Sequence, residues 1–288
     1  MTNQKRQQTI DSWHLRADAY EILVKNHRIF TDMAMDFVQF VRNNRPIDCH
    51  ILDLAAGTGL ISKLLLEHVD IPPSALYLVE PAERMCQRAR ENIPTAHVFQ
   101  ITAEDCLSNS DLPRDYFDFI LCNASMHLMT ENDIYPVVAK LLKVKQGYFL
   151  YTLWYHAFDE TLCYDQDEEF ESCLNRALNA FGYPNYFTEN QQKVKGRSRR
   201  YLAETAEKNG LRLDSCRICM HRIPLEFDLD FLLMSPNWLM EHLKKHSTSA
   251  NSEEFYSIKE RLIEKVREFI ANKSTDKPVI QVIVSRRT

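Results

Sequence analysis

Glycine is scarce in this sequence, with 6 residues among 288, and long apolar runs are missing. No uninterrupted apolar stretch approaches the roughly 18 to 20 residues that a helix needs to cross a bilayer. The N-terminal stretch MTNQKRQQTIDSW also lacks the apolar segment of a secretory signal. These absences predict a soluble, cytoplasmic protein with no membrane partner.

A surplus of positive charge is missing as well, since the formal net charge is -5. Nucleic acids and anionic membranes attract basic surfaces, so the chain as a whole is not built for either partner. The one basic run is KVKGRSRR at 193–200, and seven acids between Asp159 and Glu171 offer it ion-pair partners. This balance predicts a salt-bridged or solvated segment. The functional alternative is an anionic substrate group bound by Arg197 or Arg199.

A second cysteine pair is missing beside the only C-x-x-C motif, Cys216 and Cys219. A structural zinc ion takes four ligands, and alternation along a strand would direct these two sulfurs to opposite faces. The eight cysteines are scattered and several lie in apolar segments, which is typical of buried thiols in a reducing compartment. The sequence therefore predicts no metal site.

Short apolar runs alternate with helical patterns from residue 49 onward, beginning with CHILDLA and GLISKLLLEHV and ending with DIYPVVAKLLK and GYFLYTLW. Strands that alternate with helices are connected by right-handed crossovers. The pattern predicts an α/β fold, with a parallel sheet and helices on both faces.

Composition changes along the chain predict four segments. Residues 1–48 form a helical N-terminal segment, and residues 49–154 form the ligand-binding core. Residues 155–200, with acidic, turn-rich and basic stretches, form a cap insertion. Residues 201–288 complete the sheet, interrupted by a helical insertion at 228–272.

Two of the few glycines stand close together in ILDLAAGTGL, as Gly57 and Gly59. They follow an apolar strand and precede the apolar helical pattern LISKLLLE, which indicates a strand-loop-helix unit built around a ligand. The plain alternative is a tight turn without a ligand. The dinucleotide fingerprint G-x-G-x-x-G is incomplete, because its third position is Ser62.

Acidic residues distinguish between the possible ligands. Asp53 lies near the end of the first strand, where it would repel a pyrophosphate but suit an ammonium or a sulfonium. Glu80 ends the next strand, where a carboxylate accepts hydrogen bonds from ribose hydroxyls. The pattern favours an adenosyl ligand with a cationic end. Helix capping by Asp53 and an ordinary surface position for Glu80 are the alternatives.

Five motifs together resemble class I S-adenosylmethionine-dependent methyltransferases. They are ILDLAAGTG, LVEPAERM, ITAEDC, FDFILCNASMHLM and LLKVKQGYFLYTLW, in that family's order and spacing. The sequence looks like the small-molecule branch, typified by quinone-biosynthesis enzymes, and the resemblance covers about residues 10–154. It implies a Rossmann-like sheet of seven mostly parallel strands with an antiparallel last strand.

The resemblance also implies a set of cofactor-binding residues for S-adenosylmethionine. Asp53 would lie at the methionine end and Glu80 at the ribose, while Ala103 and Glu104 would meet the adenine edge. Thr102 stands where the family often has an acid. The full set is Asp53, Ala55, Gly57, Gly59, Glu80, Pro81, Met85, Ala103, Glu104 and Asn123.

The expected reaction is in-line methyl transfer to an O, N or C nucleophile of a small organic acceptor. His127 and then His156 are the candidate general bases, with a packing role as the alternative for His127. Candidate substrate-binding residues are Tyr20, Tyr155, Arg197 and Arg199. The rival functions are an RNA or protein methyltransferase and a non-catalytic cofactor-binding protein.

Overall fold

The computed structural model of the protein describes residues 3–144, 146–159, 168–186, 197–234, 238–246 and 253–286. Within them, seven strands form one sheet in the order β3-β2-β1-β4-β5-β7-β6. The strands are β1 Ile51–Leu54, β2 Leu76–Val79, β3 His97–Phe99, β4 Phe119–Cys122, β5 Tyr148–Trp154, β6 Leu211–Pro224 and β7 Ser274–Arg286.

The strand directions match the fold expected from the sequence. The pairs among β1, β2, β3, β4 and β5 are all parallel, whereas β7 runs antiparallel to both β5 and β6. The prediction of a mostly parallel, Rossmann-like sheet with an antiparallel last strand is confirmed. The sheet reverses its order between β1 and β4, which is where open α/β sheets bind ligands.

Helices cover both faces of the sheet. One face packs under α2 (Ile29–Asn44), α3 (Leu60–His68) and α4 (Glu83–Asn92), and the other under α5 (Glu131–Leu141) and α7 (Arg199–Lys208). Successive strand residues point to opposite faces, so the uniformly buried β1 and β4 contribute to two separate cores. Ile51 and Leu121 face the first group of helices, whereas Leu52 faces the second.

Four further described helices, called the cap here, pack around an apolar cluster of their own. They are α6 Glu168–Ala180, α8 Leu225–Met234, α9 Trp238–Lys245 and α10 Glu253–Ile270. Leu174 of α6, Leu229 of α8 and Leu262 of α10 share one buried apolar cluster. Helices from the two predicted insertions therefore pack together, although they are far apart in sequence.

The N-terminal helix α1 (Asn3–Asn26) connects the cap to the helices that cover β1 and β2. Its Leu23 packs in one cluster with Phe30 of α2 and Phe227 of α8. Its Ala17 packs with Met85 of α4. None of the described helices has the length and apolar content of a membrane-spanning segment.

Candidate active site

A cleft opens at the carboxyl ends of β1, β2 and β4, beside the point where the strand order reverses. The empty space at this site, counted together with the open solvent in front of it, is about 1110 Å³. Its walls come from the β1–α3 loop, from the residues after β2, β3 and β4, and from α1 and α2, which lie over the strand ends. Its position is the one that the glycine loop predicted.

The β1–α3 loop turns through unusual backbone conformations. Ala55, Gly57 and Gly59 have φ angles of 56°, 57° and 85°. The left-handed region suits glycine but strains alanine, and such strain concentrates at functional sites. Ala55 and Gly57 line the cleft, and the turn directs the Gly57 N–H toward the carboxylate of Glu80.

Glu80 is fixed by the backbone on both sides. Its Oε2 accepts a hydrogen bond from Gly57 N at 3.0 Å, and its Oε1 accepts one from Ala82 N at 2.9 Å. The residue is 7% exposed, and this burial raises the pKa of Glu80 to about 7, against the lowering effect of the two backbone bonds. A buried carboxylate with free lone pairs at the cleft wall fits a ligand that donates hydroxyl hydrogens.

Asp53 lies at the end of β1 and is 2% exposed. Its Oδ2 accepts a hydrogen bond from Ser62 Oγ of α3 at 2.8 Å. Burial, assisted by the nearby Glu80 charge, raises the pKa of Asp53 to about 7. Neither Asp53 nor Glu80 forms an ion pair with another described residue. A cationic ligand would therefore supply the positive partner for both carboxylates.

The end of β4 is held by hydrogen bonds to β5 and to α2. Asn123 donates from Nδ2 to the Phe30 carbonyl at 3.1 Å and accepts from Thr152 Oγ1 at 3.0 Å. The following residue, Ala124, has a φ of 53° and donates from its N–H to Thr152 Oγ1 at 2.7 Å. These bonds fix the third strand end that lines the cleft.

Helix α1 forms the outer wall. Arg6, Ile10, Trp13 and Tyr20 line the cleft, together with Thr9. Burial raises the pKa of Tyr20, and the carboxylates of Asp53 and Glu80 raise it further, which places its hydroxyl in their field.

Two ion-pair clusters hold α1 over the cleft. Arg6 Nη2 lies 2.9 Å from Glu104 Oε1, at the end where the adenine contact was predicted. Farther along the helix, Asp18 pairs with both Arg84 and Arg88 of α4. The helix is thereby tied to the core at both ends of the cleft.

The predicted cofactor-binding residues converge on this cleft with one exception. Gly59 does not line it, because a side chain at this position would meet Ile93 Cδ1 at 3.2 Å and Leu78 Cδ2 at 3.3 Å in the core. Gly59 therefore permits close packing of α3 rather than close approach of a ligand. Thr102 lines the cleft and donates to Asp105 Oδ2 at 2.7 Å, so the predicted adenine end has polar groups without the acid expected from the resemblance.

The predicted substrate-binding residues do not come together at one place. Tyr20 lines the cleft, whereas the side chain of Tyr155 lies outside the described residues. Arg199 is exposed on α7. Arg197 does not lie where a substrate-binding residue was expected. It is 4% exposed, and its Nε lies 3.0 Å from Glu131 Oε2. Its charge serves an internal ion pair rather than the cleft.

The two candidate bases lie next to each other behind the cleft wall. The ring centroids of His127 and His156 are 5.8 Å apart, and neither ring lines the cleft. His127 Nδ1 is buried without a hydrogen-bond partner among the described residues. Burial, with the charges of His156 and Arg197, lowers the pKa of His127 to about 3, so the ring is neutral at physiological pH.

Several cleft residues escaped prediction from the sequence. Arg6 and Thr9 come from α1, Phe30 from α2, and Leu128 and Met129 from the loop after β4. Their side chains resemble ordinary packing or surface residues, since only the tertiary arrangement brings them to the strand ends. The one available signal was that Leu128 and Met129 are the last residues of the motif FDFILCNASMHLM.

Comparison with known proteins agrees with this geometry. Residues 51–146 match the family described as methyltransferase domain, over one third of the chain. No curated protein sequence is similar enough to count as a match. Among solved structures, a candidate methyltransferase from Bacillus halodurans C-125 has a TM-score of 0.53 and 14% identity, with 88% of this chain and 100% of that chain covered.

Two further solved structures have lower TM-scores. Geranyl diphosphate C-methyltransferase from Streptomyces coelicolor A3(2) has a TM-score of 0.46 and 14% identity, covering 90% of this chain and 80% of its own. A candidate sarcosine dimethylglycine methyltransferase from Galdieria sulphuraria has a TM-score of 0.46 and 17% identity, covering 88% and 85%. The Bacillus halodurans structure shows the shared fold. Residues 51–146 are therefore a methyltransferase domain, and this match together with the shared fold supports S-adenosylmethionine-dependent methyl transfer.

Proposed function

We propose that the protein methylates a small organic acceptor inside the cleft beneath α1. The observation that carries this proposal is the enclosure of the cleft, with α1 fastened across the strand ends by Arg6 and Asp18. Sites for small ligands are concave clefts that bury most of the ligand surface. A cleft covered by α1 suits a cofactor and a small molecule rather than a polymer.

In this proposal Glu80 accepts hydrogen bonds from the cofactor ribose, because both of its oxygens are already oriented by backbone N–H groups. Asp53 balances the cationic methionine end. Pro81 and Met85 flank the adenine, with Ala103 and Glu104 at its edge. Asn123, Ala55 and Gly57 complete the wall beside the methionine portion.

S-adenosylmethionine, when bound, supplies a methyl group on a positively charged sulfur. The protein then needs chiefly to align the acceptor and to exclude water. Tyr20 and Phe30, with ring centroids 5.5 Å apart, form an apolar wall that suits both tasks.

The charge of the cleft supports a neutral or amine acceptor over an anionic one. Arg6 is the one basic side chain among the described lining residues, and it is paired with Glu104. A neutral amine attacks before it loses a proton and so needs no base. A hydroxyl or an acidic carbon would need a base, but neither expected base, His127 or His156, lines the cleft. The pKa of His127, near 3, also makes it a weak base.

The quinone-biosynthesis-like branch is a narrower form of the same proposal. A flat aromatic acceptor would stack against Tyr20 and Phe30. Two described residues of the basic run give the rival of an RNA or protein substrate no support, since Arg197 is buried and Arg200 pairs with Glu204.

Two measurements test the proposal. Calorimetry should detect binding of S-adenosylmethionine and of S-adenosylhomocysteine, and NADH or ATP binding in their place would contradict the ligand assignment. Transfer of tritium from labelled cofactor should reach a pool of small amines, phenols and carboxylic acids. Label appearing in tRNA or peptide pools instead would contradict the small-molecule acceptor.

A further inference from the structure

The loop between β4 and α5, residues 123–130, forms the cleft wall that includes Asn123. Ala124, Ser125, Leu128 and Met129 line the cleft with it. A 3₁₀ turn, Met126–Leu128, shapes the middle of this loop. The turn is closed by the N–H groups of Leu128 and Met129, which donate to Ser125 O at 2.9 Å and Met126 O at 3.1 Å.

Arg197 holds this loop from outside. Its Nη2 donates to the carbonyls of Met126, at 3.1 Å, and Met129, and its Nε donates to Glu131 Oε2 at 3.0 Å. The contacts therefore fall on both ends of the 3₁₀ turn and on the first residue of α5. The Arg197 carbonyl also accepts a hydrogen bond from Asp159 N at 2.7 Å, which fixes the arginine itself.

The environment makes these contacts difficult to replace. The side chains of Arg197 and Glu131 are 5% and 1% exposed. Water is thus excluded from the pair, and a buried arginine without its partners would lose hydrogen bonds that solvent does not restore. The planar guanidinium reaches a carboxylate and two carbonyls at once, whereas a lysine ammonium on a flexible stem is a point charge.

We propose that Arg197 is a positioning residue for methyl transfer, which acts by clamping residues 123–130 from the predicted cap segment against the cleft. The proposal rests on the proposed function, because the positioned groups face the acceptor. Arg197 does not touch the cleft, and its guanidinium acts through the carbonyls of Met126 and Met129. The cap thereby becomes part of the alignment of the acceptor, in addition to any selection of it.

The test compares Arg197→Lys and Arg197→Met with Arg200→Met. Arg200 is a suitable control because it comes from the same basic run, is 86% exposed and pairs only with Glu204 among the described residues. Hydrogen exchange, followed by mass spectrometry, reports on peptides that cover 123–130, with peptides from β1 and β4 as internal references. Calorimetry with S-adenosylhomocysteine reports on the cofactor site, and tritium transfer into the pool of small amines, phenols and carboxylic acids reports on turnover.

We expect exchange at Leu128 and Met129 to accelerate about tenfold or more in Arg197→Met and less in Arg197→Lys, with the strands unchanged. S-adenosylhomocysteine affinity should stay within about threefold, while label transfer at saturating cofactor falls about tenfold to 100-fold, as misplacement by about 1 Å produces. Arg200→Met should match the wild type in all three measurements. Glu131→Gln, which keeps the shape of the partner, should reproduce the effect of Arg197→Lys.

Unchanged hydrogen exchange of residues 123–130 in Arg197→Lys and Glu131→Gln would overturn the clamp. Faster exchange spread evenly over β1 and β4 would also overturn it, because that result indicates general destabilisation. These two conservative variants serve the test if Arg197→Met does not fold. Failure of the wild type to bind S-adenosylhomocysteine and to transfer label would overturn the proposed function instead. The exchange experiment separates the two outcomes, since it needs no acceptor.

Discussion

Binding of a cationic cofactor should release protons, because Asp53 and Glu80 have pKa values near 7 in the ligand-free protein. Burial is the main cause of both shifts, and a ligand that brings positive charge and hydroxyl donors favours the ionised forms. Both carboxyls are therefore partly protonated near neutral pH, and binding should release up to two protons, and fewer as pH rises above 7. Calorimetry in two buffers of different ionisation enthalpy measures this number.

The affinity for S-adenosylmethionine should therefore depend on pH. If both carboxylates must be ionised in the complex, affinity falls about 100-fold from pH 8 to pH 6, which is about 2.7 kcal/mol. If only one must be ionised, the decrease is about tenfold. Binding without proton release, and with the same affinity at pH 6 and pH 8, would refute the reasoning.

The same shifts affect the ligand-free protein in the opposite direction. A carboxyl whose pKa is raised by folding contributes stability that is present below its unfolded pKa, near 4, and is lost as pH rises through about 7. Glu80→Gln keeps the shape of the side chain and one of its two oxygen acceptors but has no carboxyl to titrate. It should therefore reduce this loss of stability. Denaturant unfolding at pH 5 and pH 8 compares the two proteins, and an identical pH dependence would show that Glu80 does not contribute.

The remaining predictions concern single side chains. Glu80→Ala should weaken S-adenosylmethionine binding at least about tenfold by calorimetry, since it removes an acceptor of charged hydrogen bonds, while exposed Glu83→Ala should not. Gly59→Ala should lower the free energy of unfolding by about 1 to 3 kcal/mol, which is more than Gly182→Ala should lower it. Both glycines have a positive φ, but only Gly182 has open space around it. Equal losses of stability in the two variants would contradict the packing role of Gly59. Arg6→Gln should weaken cofactor binding by less than about fivefold, since partly exposed ion pairs contribute about 0.2 to 1 kcal/mol, and a larger loss would assign Arg6 a direct ligand contact.

The centre of the site was predictable because its chemistry is local in sequence. Asp53 and Glu80 each follow an apolar run that had to be a buried strand, and parallel strands bring such ends to one edge. Gly57 follows from the same logic, since a turn at that edge needs a left-handed backbone. Each inference required knowledge of a few neighbouring residues and of strand direction alone.

The remainder depends on pairing that the sequence does not encode locally. The basic run was expected to meet the acids between Asp159 and Glu171, but Arg197 selects Glu131, 66 positions earlier. Burial decides this choice, because a buried acid needs a partner more than a solvated one does. The placement of Arg6 over Glu104 likewise follows from the docking of α1 on α4, which no periodicity in α1 reveals.

The position of β7 has a consequence for how the chain is made. This strand lies inside the sheet, between β5 and β6, although residues 274–286 are synthesised after both. Until they emerge, β5 presents an open edge, and the partly made sheet resembles the unpaired edges that invite aggregation. The cofactor half, residues 51–154, has its strand order complete far earlier. Synthesis should therefore pass through a stage in which the ligand site is nearly complete while the edge of β5 is still unpaired. Cofactor bound at that stage would stabilise the half of the sheet that is already formed.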